Sequence, residues 1–290
     1  MLIPILLSCC LAFSAGRAAT IHANFPIDEE GRTYHLGVKK GEVANRLLFV
    51  GDPRRAEILA SLLDVIDGVY QSDRGFLTYT GIKNKVPVTI MYIGIGMPVM
   101  DIAVREVRAI TEGPLWMMRL GTCGTPRIDI PLGAVVVAKT SYRVTTRYGQ
   151  EVFFEQSPPY APDRDLHQCL KRELEKDNIL PIVEAVDATS DSFYGSQGRI
   201  DPYFPDQNEA FLDNLLATYP ETGSLQMETF QLFCLANLHN KKGLGEVMRV
   251  AACAIVVAQR NSDLFLPEAD KRLIEKQAGE ACLRALACAL

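Results

Sequence analysis

Several large functional classes are excluded by what this chain does not contain. Among its eight cysteines no pair has C-x-x-C spacing, and its four histidines are scattered, so there is no zinc signature. No segment offers about 18 uninterrupted apolar residues, which excludes a membrane-spanning helix. Positive charge is not in excess: 30 Lys and Arg face 35 Asp and Glu, a formal net charge of -5. A general nucleic-acid binder would carry the opposite sign or a basic stripe. Internal repeats, low-complexity tracts and linkers are absent too. What is present is a 290-residue globular composition, 48% hydrophobic and 22% charged, long enough to bury a sizeable core. An anionic ligand would need a local cluster of arginines to overcome the negative global field, so arginine placement is the first question.

The cysteines are Cys9, Cys10, Cys123, Cys169, Cys234, Cys253, Cys282 and Cys288, most of them within apolar runs such as Phe233-Cys234-Leu235. They read as small buried thiols in a reducing, cytoplasmic compartment. The N-terminus points the other way. Leu2 to Phe13 is largely apolar and Ser14 to Ala19 is mostly small, like the core and cleavage zone of a signal peptide, but a basic start is missing. Residues 1–20 are therefore expected to be a signal-like or disordered extension, with secretion as the alternative localisation. One α/β domain is expected over residues 21–290.

Within that domain Arg46 to Val50, Val86 to Ile93, Leu115 to Leu120, Leu132 to Ala138, Val183 to Val186 and Val250 to Ala258 read as strands. Helical patterns start at Pro53, with Ile58, Leu59, Leu62 and Leu63 on one side, and at Pro98, running to about Thr111. Phe211 to Tyr219, Met227 to Asn240 and Glu268 to the C-terminus also read as helices. The alternation predicts an α/β fold: a central mixed, largely parallel sheet flanked by helices. Ligands of such sheets collect at the carboxyl ends of strands.

The chemically suggestive residues fall at those ends. In Gly51-Asp52-Pro53-Arg54-Arg55 a glycine ends a buried strand and a helix begins at once, so backbone amides and the Arg55 fork suit a phosphate. In Arg119-Leu120-Gly121-Thr122-Cys123-Gly124 an arginine lies inside a strand that otherwise looks buried. That placement is costly without an anionic partner, either a ligand or a structural carboxylate. Thr122 and the amides after it are expected in a tight glycine turn that could hold an oxyanion. Gly94-Ile95-Gly96 lacks the third glycine of a dinucleotide fingerprint.

These motifs in this order, followed by Met227-Glu228, resemble the nucleoside phosphorylase-I family over nearly the whole chain. Ser190-Asp191-Ser192-Phe193-Tyr194 followed by Gln197-Gly198-Arg199 is most similar to its uridine phosphorylases. The resemblance implies a pentosyltransferase: phosphorolysis of uridine, with deoxyuridine as a further candidate substrate, to uracil and ribose or deoxyribose 1-phosphate in pyrimidine salvage. Inorganic phosphate would be the co-substrate, with no cofactor and no metal. It implies that Gly51, Arg55, Arg119 and Thr122 hold phosphate. Arg74 would reach that phosphate, and His35 the sugar 5'-hydroxyl, from the other subunit of a homodimer or higher homo-oligomer. Met227 would pack on the ribose and Glu228 accept from its 2'- and 3'-hydroxyls, unless Glu228 merely serves a helix N-terminus. Gln226 departs from the second acidic residue many members carry there. Gly75 replaces the acidic residue by which some relatives hold a cation.

Base choice follows from donor chemistry. Gln197 can pair with N3-H and one carbonyl of uracil while Arg199 serves the other carbonyl; cytosine would set an amino group against donors. Phe193 could stack on the base, and Arg260 resembles an arginine that braces this pair. Asp263, in Ser262-Asp263, stands near the position of the general acid of purine-cleaving relatives, but Gln259-Arg260 fits the pyrimidine pattern; Asp263 could instead cap the following helix. The alternatives are a purine nucleoside phosphorylase or a nucleosidase of the same fold, or a nucleoside-binding protein without turnover. Nucleic acids and membranes are not expected partners.

Overall fold

The computed structural model describes residues 20–147 and 154–288. The expected N-terminal extension therefore lies outside the described residues, except for Thr20. In chain order the protein forms β1 (Thr20–Ile21), β2 (Ile27–Asp28), β3 (Arg46–Val50), α1 (Pro53–Ala60), β4 (Val65–Gln71), β5 (Leu77–Lys83), β6 (Val86–Tyr92) and α2 (Met97–Ile110). There follow β7 (Leu115–Thr125), β8 (Val135–Thr146), β9 (Phe154–Gln156), α3 (Arg164–Glu175), β10 (Ile182–Ser190) and α4 (Phe211–Thr218). The chain ends with β11 (Thr222–Gln226), α5 (Thr229–Lys242), β12 (Met248–Gln259), β13 (Leu264–Phe265) and α6 (Glu268–Ala287).

The apolar run of β3 shows why the molecule is layered. Successive side chains of a strand point to opposite faces. Leu47 and Phe49 join one buried cluster with Met100 of α2 and Phe233 of α5. Leu48 and Val50 join another with Leu59 of α1, Leu170 of α3 and Leu283 of α6. Both faces are covered, so the run is continuous rather than alternating.

The sheet is mixed. β6, β3, β7 and β12 are parallel neighbours, β8, β10 and β11 form a second parallel set, and β4 and β5 extend the β6 edge antiparallel. β12 also pairs antiparallel with β8, and β11 touches β7 through Leu225 and Gly124. The pairings β7–β12–β8–β10–β11–β7 thereby close a ring, which removes free edges on that side.

Three expectations are corrected. Residues 121–125 form no tight turn: β7 continues through them, with Thr122 opposite Ile255 and Gly124 opposite Ala258 of β12. Helix α1 stops at Ala60, so Leu62 and Leu63 lie beyond it. The strand expected from Leu132 begins at Val135 and runs on to Thr146, because it finds partners in β12, β10 and β9 along its length.

Candidate active site

Residues from the ends of β3, β6, β7, β11 and β12 line one cleft of about 280 Å³. At one end a Cβ on Gly51 would stand 3.1 Å from the Gly94 carbonyl oxygen, so the loops after β3 and β6 meet backbone to backbone. The Asp52 carboxylate caps α1 by accepting from the amides of Arg54 (2.8 Å) and Arg55 (3.3 Å). Arg55, on the first turn, is buried. Its Nε and Nη2 donate to Glu275 Oε1 of α6 at 3.0 and 2.9 Å, and Nη1 donates to the Leu120 carbonyl at 3.0 Å. Burial pushes the Arg55 guanidinium down from its usual range and Glu275 opposes the shift. Among the described residues these bonds engage each guanidinium nitrogen once, and Arg55 lines the cleft. Arg272 completes this support, donating to Asp52 Oδ2 at 3.0 Å and Glu275 Oε2 at 2.8 Å.

Arg119 lies across Gly121 on the same face of β7, two residues apart, as strand periodicity requires. A Cβ on Gly121 would sit 1.6 Å from Arg119 Nη1. The guanidinium donates through Nη2 to Glu228 Oε2, whereas Nη1 is buried with no partner among the described residues. An unpartnered guanidinium nitrogen in a cleft wall is a costly feature unless an anion completes it. Glu228, itself only 2% exposed, accepts at Oε1 from the Gly96 amide at 2.7 Å. It does not cap α5. Its neighbour Gln226 takes that task, with Oε1 accepting from the amides of Glu228 (2.8 Å) and Thr229 (3.3 Å). The Glu228 carboxylate is thereby left to face the cleft, beside Met227.

The other end is built from the loop after β10. A short 3-10 turn, Gly195–Gln197, is tied by Ser196 Oγ donating to Asp191 (2.7 Å) and by Asn208 Nδ2 donating to the Gly195 and Arg199 carbonyls (2.9 and 3.1 Å). Gly198 has φ of 62° and packs against Phe211, which leaves no room for a Cβ. Arg260, at the end of β12, donates from Nη1 to the Gln197 carbonyl (2.8 Å) and from Nη2 to the Gly198 carbonyl (2.9 Å). It fixes the turn from behind and does not line the cleft. Burial, and then the nearby Arg199, pushes its guanidinium down to about 10. Phe193, Gln197 and Arg199 do line the cleft, with the Arg199 guanidinium stacked 3.9 Å from the Phe193 ring centre and its Nε buried without a partner among the described residues. Burial lowers Arg199 as well.

Gly51, Arg55, Arg119, Thr122, Phe193, Gln197, Arg199, Met227 and Glu228 thus share one concavity. His35 and Arg74 do not line it. They flank Tyr34 elsewhere on the chain: Arg74 stacks on the Tyr34 ring at 4.3 Å, and His35 Nδ1 lies 2.5 Å from Glu106 Oε1. Asp263 sits at φ 53° in the turn between β12 and β13 and does not line the cleft. It caps nothing in α6, whose N-cap is Pro267. Lys271, on the first turn of α6, lines the cleft and was missed, because nothing in its local pattern distinguishes it from a surface lysine. Gly121 was readable in principle from the Arg-x-Gly spacing. Cys123 is a buried wall residue whose thiol is pushed far up by burial, which removes it as a nucleophile. Among the described residues no group of three or more His, Cys, Asp or Glu could hold a metal ion.

The family model described as the phosphorylase superfamily matches residues 45–288. The chain is 30% identical over 247 residues to a uridine phosphorylase of Thermococcus kodakarensis, covering 84% of each chain. It is 32% identical over 213 residues to a DeoD-type purine nucleoside phosphorylase of Bacillus velezensis, covering 72% of this chain and 83% of the relative. A solved structure from a study of two uridine phosphorylases of the oomycete Phytophthora capsici superposes with a TM-score of 0.88 at 32% identity, covering 94% of this chain and 100% of that one.

Proposed function

The chain belongs to the phosphorylase superfamily, as an enzyme of the nucleoside phosphorylase type, and from that premise we propose that it splits uridine with inorganic phosphate. One observation carries this reading: a single cleft holds at one end a guanidinium nitrogen of Arg119 with no partner among the described residues and at the other the Gln197–Arg199 pair. The first suits an oxyanion and the second the edge of uracil.

In this reading phosphate lies against the Gly51 backbone, Arg55, Arg119 Nη1 and Thr122. Arg119 serves two tasks at once, because its Nη2 already holds Glu228. One guanidinium thus ties the phosphate position to the carboxylate that accepts from the ribose hydroxyls. As the glycosidic bond breaks, positive charge grows on the sugar and negative charge on the departing base. Phosphate beneath C1' stabilises the first and the donors of Arg199 and Gln197 the second, which is where preorganised charge acts most strongly. Uracil leaves as an anion held by those donors, so no acid needs to protonate it first. Arg260, bonded to two carbonyls of the turn, keeps the base-reading pair in place.

His35 and Arg74 lie together, outside this chain's own cleft. We assign them to the cleft of a second copy in a homodimer, where Arg74 reaches phosphate and His35 the 5'-hydroxyl. The six described cysteines are free thiols, which fits a reducing, cytoplasmic setting; release of uracil from uridine would place the reaction in pyrimidine salvage.

The test is purified protein with uridine or inosine, with and without phosphate, followed by uracil or hypoxanthine release. Uracil release only with phosphate is expected. Equal release without phosphate would make the protein a nucleosidase. Faster cleavage of inosine would make it a purine enzyme, and no release from either would leave a binding protein.

A further inference from the structure

Behind the cleft floor lies a buried carboxylate that the reaction as described does not use. Asp187 of β10 is 1% exposed and, among the described residues, has no cationic hydrogen-bond partner. Four side chains donate to it: Ser224 Oγ to Oδ1 at 2.6 Å, and Ser141 Oγ (2.6 Å), Thr189 Oγ1 (2.8 Å) and Gln226 Nε2 (2.6 Å) to Oδ2. Burial raises its carboxyl above the usual range, and the four donors oppose the shift.

Donor and acceptor roles in this cluster are determined from one side. The amides of Glu228 and Thr229 can only donate, so the Gln226 atom facing them is Oε1. Nε2 must then face Asp187, and Asp187 Oδ2 must accept. Gln226 Nε2 also donates to Thr189 Oγ1 at 2.6 Å, and the same oxygen accepts from the Phe230 amide at 2.9 Å. The first two amides at the start of α5, which presents Glu228 to the cleft, are thus held by the Gln226 side chain, which is itself held between them and the Asp187 carboxylate, while Thr189 takes the Phe230 amide.

We infer that Asp187 is a positioning residue: acting through Gln226, it seats the Glu228 carboxylate against the sugar of the bound nucleoside. The inference rests on the reading of Glu228 as the ribose acceptor. Reversing the pair tests it. Gln226→Glu places two carboxylates side by side in a buried site, where both cannot ionise and one must protonate or swing away. The uridine KM is expected to rise about tenfold or more, the size associated with losing a hydrogen bond to a charged group. Adding Asp187→Asn supplies an amide donor to the carboxylate introduced at position 226, whose second oxygen still accepts the helix amides. The double variant is expected to return to within about threefold of the parent KM. A purely structural role would lower the melting midpoint and the active fraction and leave KM unmoved.

Each variant is assayed below its melting transition. If Gln226→Glu does not fold, Gln226→Met, which neither donates nor accepts there, carries the same expected rise. Glu228→Ala serves as the reference. If it leaves the uridine KM unchanged, the ribose reading and this inference fall together. If Glu228→Ala raises KM but the Gln226 variants do not, or if Asp187→Asn fails to restore a folded Gln226→Glu, only the inference falls.

Discussion

Gly121→Ala isolates the placement of Arg119. The φ of Gly121 is not in the left-handed region, so alanine costs nothing in backbone strain, and the perturbation is purely one of space. The added Cβ would stand 1.6 Å from Arg119 Nη1, 2.6 Å from Cζ and 2.9 Å from Nη2. Non-bonded heavy atoms settle about 3.5 Å apart, so the guanidinium must shift by roughly 2 Å. Arg119 is 5% exposed and its partner Glu228 2%, so neither finds water to replace what is lost. Misplacing a positioned group by about 1 Å can cost roughly 10²-fold in rate, and losing one oxyanion donor about 10²–10³-fold. Gly121→Ala should therefore lower kcat/KM for phosphate-dependent uracil release by about 10²-fold, or ~2.7 kcal/mol of transition-state stabilisation. Arg119→Ala should abolish turnover while the protein stays folded. At Gly124 a Cβ would meet the Arg260 Cδ and Cγ atoms at 3.1 and 3.2 Å, a contact a flexible stem can relieve, so Gly124→Ala should cost less than about tenfold. The assay is uracil release by ultraviolet absorbance, with circular dichroism to show that each variant is folded. Gly121→Ala with kcat/KM within threefold of the parent would refute both the steric argument and the assignment of Arg119 to phosphate.

Other expectations follow from the same geometry. Gln197→Leu should erode the preference for uridine over cytidine; unchanged discrimination would remove Gln197 from the base pocket. Arg260→Met loses the two bonds that fix the turn, so the uridine KM should rise by about tenfold with the fold retained; an unchanged KM would end its assignment as a brace. Burial alone would raise Asp52, but Arg272 and the amides of Arg54 and Arg55 outweigh it and hold the carboxyl below its ordinary range. A depressed carboxyl contributes stability above its unfolded pKa and loses it as pH falls through the folded value. Asp52→Asn should therefore flatten the acid limb of the melting midpoint against pH. An acid limb that keeps its slope would show that the Asp52 charge is not what acid removes.

The parts legible in the sequence are those whose cause is local. The apolar runs within 46–50 and 250–258 read as buried strands, and both are strands. Glycines and arginines at strand ends marked one side of the sheet as the ligand side, and Gly51, Arg55, Arg119 and Gly124 do share a cleft. The misses also have local causes. β4 lies at the open edge with most residues exposed, so it shows no apolar alternation. β11, Thr222-Gly223-Ser224-Leu225-Gln226, is fully buried yet mostly small and polar, so no apolar run marks it as a strand. The glycines of 121–124 suggested a turn because glycine has no strand preference. Pairing with β12 overrode that, and the reason for Gly121 turned out to be the guanidinium lying over it.

By itself the sequence determined which segments could be strands or helices, and which side chains could meet an anion or a pyrimidine edge. Those are properties of residue types and their spacing along a few turns or pleats. Only the tertiary structure decided the pairings: Arg55 with Glu275, Arg119 with Glu228, and Gln226 with Asp187. It also set His35 and Arg74 apart from this chain's own cleft. Each depends on how strands, helices and loops far apart in the chain are brought together, and no local pattern encodes the distance between two such side chains.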